Sequence, residues 1–179
     1  MNDADFDIIR SIQKGQVNDF EMLVIKYQSA VFNVLYQILH QEAVARELAQ
    51  DVFVKAYEHL DSFNFKSRFF SWIYRIAINT ALSYQKKQNQ QKNTSQFQGH
   101  FEKPVDEKIM EKEKTVILEK AIGRLENKYK MVILLRYFEQ LSYSEISGAL
   151  GISEKKVKSR LFSSRKLLKN ILQESDYFS

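Results

Sequence analysis

The side chains most able to do chemistry in this sequence are a run of cations near its C-terminal end. Seven lysines and arginines lie between Lys155 and Lys169, and no acidic residue interrupts them. A helical face of one charge can neutralise phosphates and release their counterions. The alternative is a solvated face, which is the commoner fate of a charged helix surface. The cations of this face are Lys155, Lys156, Lys158, Arg160, Arg165, Lys166 and Lys169.

The residues around this run predict a helix-turn-helix. Ser142 and Glu145 stand three apart, as in a capping box that opens a short helix. Gly151 suits the left-handed turn after it, and Ser153 can cap the second helix. Such a pair can enter a DNA major groove, although hairpins with a glycine turn also occur in ordinary helical cores. The predicted inner face of the second helix is Val157, Leu161, Ser164 and Leu168.

A second group of candidates mixes rings, amides and cations. Residues 61–68 break the helical pattern and interleave two phenylalanines with asparagine, lysine and arginine, which suits unpaired bases and their phosphates. The residues alone favour the alternative that Phe63 and Phe65 fill the core between two helices. The helix that follows carries two further rings near one face, and one of them could equally be core. Its candidates are Trp72, Tyr74, Arg75, Asn79 and Ser83.

Composition predicts an all-α protein and excludes several functions. With 5 glycines and 1 proline in 179 residues, turn residues are scarce. The absence of cysteine excludes disulfides, cysteine zinc sites and thiol chemistry. His40, His59 and His100 lie on different segments without ligand spacing, and no phosphate-binding glycine loop or nucleophile elbow is present. We therefore expect no catalytic residue, no metal and no cofactor.

Charge and composition divide the chain. Residues 1–84 hold 8 basic and 10 acidic side chains, whereas residues 115–179 hold 12 and 7. Between them, glutamine, asparagine and lysine dominate and apolar residues are few, as in a flexible linker. We predict two small helical domains, residues 1–87 and 109–179, joined by a flexible linker over residues 88–108. No signal peptide and no stretch long enough to span a membrane are expected.

Three stretches, in this order, resemble bacterial RNA polymerase sigma factors of the extracytoplasmic-function (ECF) type, in the sigma-70 family. They are ELAQDVFVKAYEHLDSF (residues 47–63), FFSWIYRIAINTA (69–81) and LLRYFEQLSYSEISGALGISEKKVKSRLFSSRKLL (134–168). The resemblance covers nearly the whole chain. It implies a cytoplasmic promoter-specificity factor that binds core RNA polymerase, recognises a −35 duplex and melts a −10 element.

The resemblance also implies which residues make each contact. The first domain is similar to sigma region 2, and its polymerase-binding residues, on the coiled coil of the β′ subunit, would be Glu47, Gln50, Asp51, Val54 and Lys55. The −10 element would be recognised and opened by Phe63, Asn64, Phe65, Lys66, Ser67, Arg68, Trp72, Tyr74, Arg75 and Asn79. The second domain is similar to sigma region 4, with −35 contacts from Ser153, Lys155, Lys156, Lys158, Ser159, Arg160 and Ser163.

Further partners follow from the resemblance in the same way. The helix around residues 129–138 would sit on the β flap of the polymerase, and an anti-sigma factor is a further expected partner. The alternative function is a free-standing helix-turn-helix transcriptional regulator with a helical sensing or dimerisation domain. Such regulators dimerise on palindromic half-sites, and the sequence shows no heptad or other dimer seam.

Overall fold

The structure, a computed structural model, describes residues 4–92, 117–118 and 120–174 of the chain. Over these residues it is helical and contains no strand, so the all-α prediction is confirmed. The chain divides into two compact units, the first containing the helices up to residue 92 together with residues 148–151, and the second containing the other described residues from 117 onward. The helices are α1 (Ala4–Gln13), α2 (Phe20–Leu39), α3 (Glu42–Glu58), α4 (Phe69–Lys92), α5 (Asn127–Ile133), α6 (Tyr143–Leu150) and α7 (Glu154–Glu174), with residues 117–118 and 120–123 also helical.

The core of the first unit lies where α2 packs against α3 and α4. All three helices bury apolar residues at three- and four-residue spacing, which puts them on one face of each helix. The periodicity of α3 in particular predicted its buried face. Core residues from the three helices include Leu23, Val31, Leu35, Ala45, Val52, Ala56, Phe69, Ile73 and Ala77.

The start of α2 differs from the prediction. Asn18 and Glu21 stand three apart in the sequence, a spacing that predicts a capping box, but a 3-10 turn, Val17–Asp19, precedes the helix and no side chain caps it. The amide of Phe20 instead donates to backbone carbonyls of that turn, so the turn itself satisfies this donor. Gly15 follows α1 with φ +104°, a conformation that a residue without Cβ adopts readily.

One described segment, Val17–Leu39, is long and apolar enough to cross a membrane by length and composition, with a mean hydropathy of 1.2. The prediction that no stretch reaches this length was therefore wrong. The high hydropathy has a local cause, because α2 packs against α1, α3 and α4 and contributes seven buried residues to the core. A core helix covered on several sides is apolar around much of its circumference.

Helix α4 runs to Lys92, whereas the sequence predicted its end near Lys87. The first residues of the predicted linker are therefore helical, and the rest of residues 88–108 lies outside the described residues. The domain limits at residues 87, 88, 108 and 109 stay predictions.

The second unit is centred on the packing of α5 against α7. Val157 and Leu161 of α7 are buried, and the buried hydroxyl of Ser164 donates to the carbonyl of Tyr129 at 3.1 Å. The predicted inner face of α7 is thus confirmed for these three residues.

A single π-helical turn, Leu134–Phe138, continues α5. A π turn holds more residues than an α turn, so it rotates the side chains that follow it. Three-residue helical spacing would place Phe138 on one buried stripe with Leu135, but after the π turn Phe138 is 39 % exposed, while Leu135 is fully buried. The side chain of Arg136 donates to the carbonyl of Leu141 at 2.7 Å and ties this turn to the segment before α6.

Candidate nucleic-acid and polymerase interfaces

Residues 61–68, here called the aromatic loop, are built around a buried ring. Phe63 is only 4 % exposed, and its ring lies edge-on to those of Trp72 at 5.5 Å and Phe69 at 6.0 Å between centroids. Other rings enclose this ring here, and the contact of Phe63 with the −10 element stays a prediction. The core alternative holds for this residue.

Phe65 is half-buried and takes an unusual backbone conformation. Its φ is +58°, in the left-handed region that bulky residues rarely adopt. Its ring centroid lies 5.1 Å from that of Phe63. The rest of the aromatic loop is exposed, and the amide of Lys66 donates to Asn64 Oδ1 at 3.1 Å, which shapes the tip. Its exposed candidates are Asn64, Lys66, Ser67 and Arg68.

On α4 the structure separates the two aromatic candidates. Tyr74 is fully buried, and its hydroxyl donates to the carbonyl of Ala30 at 3.3 Å, so it forms part of the core, while its contact with the −10 element stays a prediction. Trp72 is half-buried, while Arg75 and Asn79 are exposed. Residues 72, 75 and 79 recur at helical spacing and share one face. That face, with the tip of the aromatic loop, forms the candidate −10 surface.

The helix-turn-helix has the predicted local geometry. The amide of Glu145 donates to Ser142 Oγ at 3.2 Å, and the amide of Ser142 donates to Glu145 Oε2 at 2.9 Å, which closes the capping box. Gly151 has φ +63° in the turn. The amide of Lys156 donates to Ser153 Oγ at 3.3 Å and caps α7. All three sequence signals are confirmed.

The outer face of α7 carries the candidate −35 residues. Most are exposed, whereas Arg160 and Ser163 are half-buried. The ring of Tyr143 lies between two cations, with Arg136 Cζ at 5.2 Å and Lys158 Nζ at 5.8 Å from its centroid, which holds Lys158 against α6. The exposed members are Ser153, Lys155, Lys156, Lys158 and Ser159.

Phe162 is the residue of this face that the sequence prediction missed. It is 70 % exposed, lies seven residues after Lys155 and stands next to the buried Leu161. A ring among cations on a major-groove helix can contact the methyl group of thymine. The sequence did contain a signal for Phe162: it lies outside the buried stripe of Val157, Leu161 and Ser164, so a helix places it on the outer face.

The candidate polymerase face of α3 is exposed throughout. Val54 is 57 % exposed among charged neighbours, and Lys55 donates to Thr80 Oγ1 at 3.3 Å, so it also joins α3 to α4. The helical spacing of the apolar residues of α3 predicts that Tyr57 faces inward, but it is 45 % exposed, with its ring edge-on to Phe20 at 5.2 Å. Val54 and Tyr57 therefore form an apolar patch beside the acidic and amide groups of Glu47, Gln50 and Asp51.

A groove of about 740 Å³ opens on the second unit. Apolar side chains line most of it, including Tyr137 and Phe138 of the π turn and Leu168 of α7. Arg165 stands at its edge, where Nε donates to the Tyr137 hydroxyl at 2.8 Å. This hydrogen bond raises the pKa of Arg165 further, so the edge of the groove stays cationic. Within residues 4–92, 117–118 and 120–174 no cluster of histidine and acidic side chains is arranged to hold a metal ion.

Two family models match this chain. The model described as Sigma-70 region 2 matches residues 23–91, and the model described as Sigma-70, region 4 matches residues 115–168. The chain belongs to the sigma-70 family and is a sigma factor of the ECF type. The region 2 match contains the aromatic loop, and the region 4 match contains the helix-turn-helix.

Relatives and solved structures agree with this assignment. The sigma factor is 29 % identical to the RNA polymerase sigma-H factor of Pseudomonas aeruginosa, over 96 % of this chain and 95 % of the relative. It is 31 % identical to the ECF RNA polymerase sigma-E factor of Escherichia coli K12, over 93 % of each. The fold is similar to that of CnrH in complex with the cytosolic domain of CnrY (TM-score 0.73, 23 % identity, 97 % of this chain and 100 % of that one). It is also similar to the sigma factor RpoE bound to the anti-sigma factor NepR from Bartonella quintana (TM-score 0.70, 21 % identity, 88 % and 98 %).

The function of the sigma factor follows from its family. It is a promoter-specificity subunit that binds core RNA polymerase and directs transcription initiation at promoter DNA. Its family consists of transcription initiation factors and not of enzymes. A free-standing helix-turn-helix regulator, the alternative that the sequence left open, is not favoured, because both sigma regions are present in one chain.

Proposed function

We propose that this sigma factor divides promoter recognition between its two units, each using a different chemistry. The observation that carries the proposal is the contrast between an aromatic loop with an exposed polar tip and a helix-turn-helix with a cationic outer face. Single-stranded nucleic acid is bound by stacking and local hydrogen bonds, whereas duplex DNA is read from its major groove. The first unit would therefore open the −10 element, and the second would read the −35 element.

Opening at −10 requires a site that holds an unpaired base better than the duplex does. Flipping a base costs a few kcal/mol, which contacts to the extruded base must offset. The amide groups of Asn64 and Asn79 can hydrogen-bond a base edge, and the exposed part of Trp72 can stack on a base face. Lys66, Arg68 and Arg75 supply cations for the displaced phosphates. Phe63 and Tyr74 hold this surface from inside the core.

Reading at −35 would use α7 in the major groove. Its exposed lysines would bind phosphates, and Ser159, Ser163 and Phe162 would approach base edges. Bidentate contacts from arginine to guanine are the commonest specific contacts of this kind. Arg160 is the arginine of this face nearest the start of α7.

Polymerase contacts would use the α3 face and the groove on the second unit. We assign the coiled coil of the β′ subunit to Glu47, Gln50, Asp51, Val54 and Lys55, with Tyr57 added. The apolar groove beside Tyr137 and Phe138 suits an apolar segment of the β flap, because burial of such side chains drives association. An anti-sigma factor is the proposed regulatory partner, as NepR is for the RpoE of the solved complex. The protein would act in the cytoplasm, without catalytic activity, cofactor or membrane insertion.

One experiment tests this function. The purified chain is added to core RNA polymerase on a library of promoter DNA, and transcription starts are sequenced. We expect new starts that share one −35 and one −10 sequence. Tight, specific duplex binding without polymerase, together with no transcription from core, would instead support a free-standing regulator.

A further inference from the structure

The first helix is fastened to the core by a buried carboxylate. Asp5 is 2 % exposed and accepts hydrogen bonds from the hydroxyl of Tyr27 and from Lys26 Nζ, both on α2. A buried carboxylate is retained where it is paired and hydrogen-bonded, because its desolvation is otherwise costly. These bonds fix the position of α1 along α2. The apolar side of α1 adds Ile9 and Ile12, which are buried.

From this position α1 holds the backbone of the aromatic loop. Gln13 Nε2 donates to the carbonyl of Leu60 at 2.9 Å and lies 3.5 Å from that of Phe63. These carbonyls flank the entry to the loop, 47 and 50 residues further along the chain than Gln13. The side chain therefore joins two segments that are distant in sequence.

The same helix also holds the ring of Phe65. Phe6 lies edge-on to Phe65 with 5.3 Å between ring centroids, and to Phe63 with 6.0 Å. Arg10 Cζ lies 5.1 Å from the centroid of Phe65. Phe65 thus has a ring on one side and a guanidinium on another, both supplied by α1.

The backbone of the loop explains why such support is needed. Phe65 has φ +58°, which is unfavourable for a residue with a Cβ and is kept only where surrounding contacts impose it. Without those contacts the residue would relax to negative φ. The chain direction would then change between Asn64 and Lys66, the two neighbours proposed to meet the −10 element.

We propose that Phe6, Arg10 and Gln13 of α1 are positioning residues for promoter opening. They hold Phe65 in its left-handed conformation and so present the tip of the aromatic loop to an unpaired base. They act through the loop and need no DNA contact of their own. The inference rests on the proposed function of the loop in opening the −10 element.

A matched pair of glutamines tests the backbone contact. Gln13→Ala removes the two carbonyl contacts, whereas Gln16→Ala removes the same side chain from an exposed turn three residues later. Holoenzyme is assembled with each full-length variant on a promoter recovered from the library, and open complexes are measured by permanganate reactivity of unpaired thymines. We expect Gln13→Ala to lower opening about 5- to 20-fold, with core affinity within about 2-fold. Opening by Gln16→Ala should equal that of the unmodified protein.

A double-mutant cycle tests the ring contact. Phe6→Ala and Phe65→Ala should each lower opening about tenfold, and the double variant should lose less than about 2-fold more than either one. Once the Phe65 ring is gone, the Phe6 ring has nothing to hold. A purely structural role of Phe6 would give independent, multiplying losses and a matching fall in thermal stability. Multiplying losses, or normal opening by Gln13→Ala, would overturn the proposal.

Asn64→Ala separates this inference from the function on which it rests. If Asn64→Ala opens promoters normally, the assignment of the aromatic loop to the −10 element fails. If Asn64→Ala is defective while Gln13→Ala and Phe6→Ala open normally, only the positioning role of α1 fails.

Discussion

The two candidate DNA surfaces of this sigma factor place their aromatic rings on opposite sides. In the first unit, Phe63 and Tyr74 are buried and the polar groups of the aromatic loop face outward. In the second unit, Phe162 is 70 % exposed among cations, and a buried hydroxyl, Ser164, lies beneath. In the first arrangement Phe63 and Tyr74 support the surface from inside and only part of Trp72 can reach a base, whereas the second arrangement exposes most of the Phe162 ring. The difference fits opening, which needs a rigid receiving site, and duplex reading, which needs a surface that fills a groove.

The two parts of the chain also differ in net charge. Residues 1–84 carry two more acidic than basic side chains, and residues 115–179 carry five more basic than acidic ones. Attraction to DNA at a distance is therefore a property of the second unit. Under the proposed division of roles, the first unit would depend on polymerase and on the −35 contact to bring it to the promoter.

The largest expected effect is on the buried ring. Phe63→Ala should lower the free energy of unfolding of the first unit by about 3–5 kcal/mol, because it removes a ring that four others surround. The only tryptophan in the sequence, Trp72, contacts this ring and reports the transition by fluorescence during urea denaturation. Phe162→Ala is the matched control and should change stability by less than about 0.5 kcal/mol. Equal losses would remove the contrast between the two units.

Next in size is the loss of an exposed amide from the proposed −10 surface. Asn79→Ala should lower open-complex formation about tenfold, equivalent to about 1.4 kcal/mol, while core affinity stays unchanged. Permanganate footprinting and a core-binding titration measure the two quantities. Asn33→Ala, an exposed asparagine on α2, is the control. If Asn79→Ala weakens core binding as much as opening, this face of α4 has been assigned to the wrong partner.

The third prediction concerns salt. Replacing Lys155 and Lys158 by glutamine should reduce the slope of log K against log salt concentration by about 1.8, since each phosphate contact contributes about 0.9. Binding of holoenzyme to a promoter fragment is titrated between low and physiological salt. Lys120 and Lys128 lie outside the helix-turn-helix, and Lys128 pairs with Glu126 at 2.7 Å, so their double glutamine variant is the control. The same slope change in that control would show that the salt dependence follows the net charge of the protein and not the position of the lysines on α7.

The smallest effect concerns a buried cation in α5. Lys130 is 7 % exposed, and burial lowers its pKa from the usual 10.5. Burying the ammonium group carries a desolvation cost in the folded chain that the unfolded chain does not have, so Lys130→Met should stabilise the protein by on the order of 1 kcal/mol.

The advantage of Lys130→Met should depend on pH with a defined sign. Between the lowered pKa and 10.5 the unfolded chain binds more protons, so the unmodified protein gains stability as pH rises. The advantage of methionine should therefore shrink on approach to pH 10. Urea denaturation at several pH values measures it, with exposed Lys128→Met as the control. If the stability gained by Lys130→Met did not change with pH, packing of the methionine alone would explain it.

The features that the sequence predicted well are those with local causes. Capping at Ser142 and Ser153, the turn at Gly151 and the buried stripes of α3 and α7 depend on residues within a few positions of each other. The capping residues and the glycine turn sufficed to predict the helix-turn-helix. The all-α class followed from the scarcity of glycine and proline. The sigma family was recognised from three longer stretches with a fixed order.

The features that the sequence did not show depend mostly on contacts between segments that are distant along the chain. Tyr74 and Trp72 are two residues apart on a helix that packs on more than one side, so spacing alone could not show which ring is enclosed. Phe63 is enclosed by rings from α1 and α4, and the part of Gln13 in holding the loop requires contacts across 47 residues. The spacing of apolar residues also does not reveal a π turn, so it would place Phe138 on the buried side of its helix.

That π turn has a consequence for how related chains should be aligned. The directions of Tyr137 and Phe138 are set by the number of residues in Leu134–Phe138 and not by their identities. Deleting one residue there would restore an α turn and leave the flanking residues on the faces they now occupy, because the wider turn absorbs the extra residue. A one-residue gap at this place in a relative would thus mark the loss of one side chain from the π turn, with the aligned residues on both sides keeping their directions.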